Sequence, residues 1–149
     1  MRTSWRALAA LAGVLAGTLV ACGSESSDRS TVEATPDQTV NVTMTDLAFE
    51  PTEIRVGAST DVRLSIRNQG ALSHDFTIVE MPHGTVEMTG DASSDDHAHG
   101  SDERAVHVVV APGTEATVDL ETTEAGTFEF FCSVDGHREA GMSGSFVVR

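Results

Sequence analysis

Four side chains in this sequence carry donor atoms whose types and spacing suit one metal. Cys132, His137 and Met142 follow one another at intervals of five in Cys132-Ser-Val-Asp-Gly-His137-Arg-Glu-Ala-Gly-Met142. They offer a thiolate, an imidazole and a thioether along one short segment. A second imidazole lies far upstream, His74 in Leu72-Ser-His-Asp-Phe-Thr-Ile78. One Cys and two His held trigonally, with a weak and distant Met on the axis, form a donor set for copper that transfers electrons. Cu(I) prefers soft sulfur donors, whereas Cu(II) usually takes tetragonal N and O ligands. A fixed trigonal site serves both states tolerably, so little has to move when an electron arrives or leaves.

Such a site needs a rigid frame, and the pattern upstream of Cys132 supplies one. From Thr39 onward, apolar and polar residues alternate with period two. Val40, Val42 and Met44 share one face, as do Val62, Leu64 and Ile66, then His74, Phe76 and Ile78. Val106, Val108 and Val110 repeat the pattern, followed by Ala116, Val118 and Leu120, then Phe128, Phe130 and Cys132, then Phe146 and Val148. A shorter strand covers Glu53 to Val56. Turn chemistry separates these runs at Gly57-Ala-Ser, Asn68-Gln-Gly70, Pro112-Gly113 and Gly126, and no amphipathic helix of useful length is present. The prediction is an all-β fold, an antiparallel Greek-key β-sandwich of seven to eight strands.

Parity then places the donors. Cys132 shares a face with Phe128 and Phe130, and His74 shares one with Phe76 and Ile78, so both point inward although 58 residues apart. His137 and Met142 lie on the loop joining the last two strands, where Gly136 and Gly141 permit a tight backbone. Taken singly, a buried Cys is usually inert packing, a His a satisfied core or surface residue, and a Met core filler. The combination at this spacing outweighs those readings. Zinc fits less well, because structural zinc sites rarely use Met, and a binuclear copper site lacks its second loop Cys. Phe49, Phe128 and Phe146 are assigned to the core, His83 and His107 to the surface.

The remainder of the chain concerns location. Arg2 and Arg6 precede an apolar run, Ala7 to Val20, too short for a comfortable membrane span. Leu19-Val-Ala-Cys22 then resembles the lipobox of bacterial lipoproteins, whose Cys is acylated and becomes the new N-terminus. Residues 1–21 read as the signal peptide, 22–38 as a flexible tether and 39–149 as the domain. With Cys22 lipidated no disulfide is possible, and Cys132 is a lone thiol that must be buried or ligated. All 23 acidic residues follow Cys22, against seven of the nine Arg and no Lys, a formal charge of −16 for the mature chain. That surface repels nucleic acid and anionic lipid and favours basic docking partners. One stretch, Pro82 to Arg104, breaks the alternation; it is acidic and carries His83, His97 and His99, and reads as a solvated insertion.

The domain, by its Cys132-x4-His137-x4-Met142 loop and upstream His74, resembles the cupredoxin family of type 1 copper proteins. Its four-residue gaps match rusticyanin, auracyanin and sulfocyanin. The resemblance implies one type 1 copper ion with His74, Cys132 and His137 equatorial and Met142 axial. It further implies a distant axial carbonyl from Ser73 and a hydrogen bond from the Asp75 N–H to the sulfur. Asp75, where many members have Asn, and Asp135, often Pro, depart from the pattern and leave the surroundings of the metal open. The expected function is a monomeric, lipid-anchored, one-electron carrier on the outer face of the cytoplasmic membrane, not an enzyme. The edge of His137, amid Val134 and Ala140, is the expected electron exit to redox partners. The alternative is a copper carrier or scavenger delivering metal to an oxidase, suggested by the His-bearing insertion with Met81 and Met88. Against it, such carriers use exposed Met and His clusters without an inward thiolate. Nitrite reductase or multicopper oxidase chemistry needs several such domains.

Overall fold

A computed structural model describes residues 30–90, 92–93 and 104–149. The signal peptide, Cys22 and the tether as far as residue 29, and His97 and His99 lie outside the described residues. Within them the chain forms twelve strands and no helix. These are β1 (Thr31–Glu33), β2 (Thr39–Thr45), β3 (Ala48–Glu50), β4 (Glu53–Val56), β5 (Asp61–Asn68) and β6 (His74–Val79). They continue with β7 (His83–Gly90), β8 (Ala92–Ser93), β9 (Arg104–Val110), β10 (Glu115–Thr122), β11 (Gly126–Phe131) and β12 (Ser143–Val148).

Two sheets face each other. One runs β1-β4-β12-β11-β6-β9-β8, the other β3-β2-β5-β10-β7. From β3 to β7 the chain changes sheet at every connection. The inward residues of each strand interleave in one core, because period two puts Val62, Leu64 and Ile66, or Ala116, Val118 and Leu120, on the same side. Phe76, Phe130 and Phe146 are the largest fully buried side chains, each stabilising the fold by about 1.5–3 kcal/mol through burial. Phe49 joins them, while Phe128 packs against the core from a half-buried position.

The sandwich has twelve strands where seven to eight were expected, and differs from the sequence expectation in four further respects. Its sheets are mixed: β2 pairs with β5, β4 with β12 and β1 with β4 in parallel. Alternation encodes which side of a strand is buried, not the direction of its neighbour. Thr31–Glu33, read as tether, instead extends the first sheet as β1 beside Glu53–Arg55. At this edge backbone bonds, the packing of Val32 against the core and the pairing of Glu33 with Arg149 hold the strand. The start of the insertion is likewise structured, since β7 pairs with β10 along most of its length. His107 is half-buried and its Nδ1 lies 2.8 Å from the Thr77 hydroxyl.

Candidate metal centre

Two strands carry one half of the site. β6 begins at His74, paired with the fully buried Val110, and antiparallel β11 ends one residue before Cys132. Both side chains therefore emerge at the same end of the sandwich, and both are fully buried. Below them the rings of Phe76 and Phe130 stack at 4.9 Å, and Phe49 meets both edge-on at 5.8 and 5.2 Å. Edge-to-face and offset stacking are the favoured aromatic geometries, so this floor is stiff as well as dry. Cys132 Sγ lies 3.9 Å from His74 Nδ1.

The other half comes from the loop between β11 and β12, which is built by its own main chain. Gly136 and Gly141 have φ of +80° and +105°, conformations that side chains resist. The Met142 N–H donates to the His137 carbonyl at 2.9 Å, and the Met142 carbonyl accepts from the Cys132 N–H at 3.1 Å. Three donor residues are thereby fixed to one another through backbone alone. His137 Nδ1 lies 3.5 Å from Cys132 Sγ, and its ring centroid 5.1 Å from that of His74. Met142 is fully buried, whereas His137 is half-buried.

A polar collar, not foreseen in the sequence apart from the Asp75 amide, holds these groups. The Asp75 N–H donates to Cys132 Sγ at 3.5 Å. Its carboxylate accepts from the Ser133 N–H at 2.8 Å, the Ser133 hydroxyl at 2.9 Å and the Thr77 hydroxyl at 2.8 Å. Asp75 thus ties the segments of His74 and Cys132 together through its carboxylate. Its outward position on β6 is buried, as is that of Thr77, so alternation here did not mean exposure. Asn68, also fully buried, donates to the carbonyls of Leu72 and Val110 at 2.8 Å each and accepts from the Gly70 N–H. It shapes the loop leading into His74. Asp46, on the turn after β2, accepts from the Ala71 N–H at 2.9 Å and lies 3.4 Å from His74 Nε2. Among these residues Asn68 has a recognisable signal, an Asn two before a Gly at a strand end. Asp46 has none.

The electrostatics suit a bound cation. Burial pushes the Cys132 thiol above its usual range, and the nearby Asp75 carboxylate adds to that, against hydrogen bonds from the Asp75 and Val134 amides. The metal-free site is therefore a neutral thiol that a soft cation deprotonates on binding. The Ala71 amide, followed by His74, holds Asp46 below the ordinary carboxylate range. The donor atoms of His74, Cys132 and His137 all lie within 4.8 Å of one another. A sulfur and two imidazole nitrogens, with a buried thioether on the same loop, fit copper by ligand type.

A cupredoxin-like domain family matches residues 11–148. The chain is a member of the cupredoxin family. Copper-resistant cuproprotein CopI of Rubrivivax gelatinosus is 35% identical over 117 residues, covering 78% of this chain and 69% of the relative. CopI of Pseudomonas aeruginosa is 30% identical, covering 78% of each. The auracyanin B structure superposes with a TM-score of 0.57 at 26% identity, over 80% of this chain and 94% of that one. A Campylobacter jejuni multicopper oxidase shares the fold alone, at 13% identity over 30% of its chain. Family membership together with the clustered donors makes this cupredoxin a copper-binding protein.

Proposed function

We propose that this cupredoxin holds one type 1 copper ion through His74, Cys132, His137 and Met142 and passes single electrons. The observation that carries this is enclosure. His74, Cys132 and Met142 are each 0% exposed over an aromatic floor, and only His137 reaches the surface. Copper bound there would supply one-electron cycling between its two oxidation states. The chain's own residues would keep the donors in place and, by this burial, exclude water and substrate from the metal. Electrons would pass through the His137 edge, beside the exposed Val134. The protein would act as a monomer anchored through lipidated Cys22 on the outer face of the cytoplasmic membrane, with partners that present basic docking surfaces to its acidic domain.

An intense thiolate-to-copper band in the visible should appear on Cu(II) loading, and a colourless loaded protein refutes the type 1 assignment. Membrane fractionation should be lost in Cys22→Ser while that band remains.

A second reading, copper handling, is favoured by the two relatives named as copper-resistant cuproproteins. It predicts that deleting residues 90–102 slows copper loading at unchanged final occupancy, whereas the electron-carrier reading predicts no change.

A further inference from the structure

We infer that Asp46 is the positioning residue for His74, holding the ring so that Nδ1 faces the metal site. His74 is fully buried, and its two nitrogens have different neighbours. Nδ1 lies 3.9 Å from Cys132 Sγ, and Nε2 lies 3.4 Å from Asp46 Oδ1, at the long end of hydrogen bonding. A carboxylate accepts only, so Nε2 carries the proton and Nδ1 keeps its lone pair for a cation. Partners of this kind fix tautomer and ring orientation in metal-binding histidines and raise their basicity.

Two further observations show that the contact is built. The same oxygen accepts the Ala71 N–H at 2.9 Å, which aims the carboxylate across the loop that leads into β6. Gly70 lies against the pair: a Cβ there would sit 2.6 Å from Asp46 Oδ1 and 2.9 Å from His74 Nε2. Any other residue would wedge the carboxylate from the ring. Asp46 is 28 positions from His74 and on the other sheet's turn, so it also couples the two sheets at the metal end. Its negative charge, delivered through the ring, favours Cu(II) over Cu(I) and lowers the reduction potential.

This rests on His74 being a copper ligand, but the decisive readout needs no copper. Nitrogen NMR of the metal-free protein should show His74 as a single Nε2–H tautomer in wild type and in Asp46→Asn, whose amide oxygen accepts the same bonds. Asp46→Ala should give a tautomer mixture and bind copper more weakly by about tenfold or more in chelator competition. Both variants should raise the potential. A single wild-type tautomer in Asp46→Ala, an Asn variant as impaired as Ala, or equal potentials in all three proteins would overturn the assignment. Should the Ala variant not fold, Gly70→Ala must produce the same mixture, and a wild-type spectrum there overturns it equally. The visible band of loaded wild type reports separately on the ligand set.

Discussion

The two halves of the metal centre are rigid for different reasons. His74 and Cys132 stand at the ends of β6 and β11 over stacked Phe76 and Phe130, so the hydrophobic core fixes them. His137 and Met142 sit on the loop between β11 and β12; Met142 reaches down into the core, but the loop's own shape is fixed by backbone bonds and two left-handed glycines. Damage to the first half should therefore appear as lost stability, and damage to the second as altered metal properties in a sound fold. A centre assembled this way can vary its loop without unfolding its sandwich.

Cys132→Ser is the largest test, since the sulfur is where the halves meet. It should abolish the visible band entirely, with the sheet signature in circular dichroism kept; a variant that stays coloured would mean another thiolate binds copper. Phe130→Ala strikes the strand half and should cost about 3–5 kcal/mol in denaturant unfolding of the metal-free protein. A loss below 1 kcal/mol would show that the aromatic floor is not what holds His74 and Cys132. Gly141→Ala strikes the loop half. No atom lies within 4 Å of the added methyl, so the cost is conformational, about 1–3 kcal/mol confined to the loop. Copper should dissociate faster, while the metal-free protein should lose clearly less global stability than Phe130→Ala; an equal loss in the two variants would erase the distinction between halves. The mildest change is Met142→Leu, which should keep most of the colour and raise the potential, with Met142→Gln lowering it by supplying a harder axial oxygen. Equal potentials across the three by voltammetry would mean that Met142 only fills the loop.

Much of this is legible in the sequence. Period two placed His74 beside Phe76 and Cys132 beside Phe130, and the structure buries all four. The turn glycines 136 and 141 were visible for the same local reason. What escaped the sequence is whatever depends on a distant partner. Thr31–Glu33 offers one apolar residue, Val32, too short a run to show alternation, and becomes a strand where β4 offers it an edge and the core takes Val32. β7 was hidden because its side chains are almost all exposed, leaving no alternation to detect. Asp46 and Asn68 look like ordinary turn and strand-end residues, and their roles arise from bonds to Ala71 and Val110, 25 and 42 positions away.

The short strand β1 would also decide how the domain hangs if the chain is lipid-anchored as proposed. Thr31 lies opposite Glu53, and Glu53 lies opposite Ser145, three residues after Met142. The chain therefore joins the sandwich at the end that carries the donors. At about 4.8 Å per strand, three spacings, or about 14 Å, separate β1 from β11. If Cys22 bears the lipid, the eight residues from it to Ser30 span at most about 28 Å. Such a leash would hang the domain with its metal-site end toward the bilayer, and under the proposed function would favour partners embedded there over those diffusing beyond it.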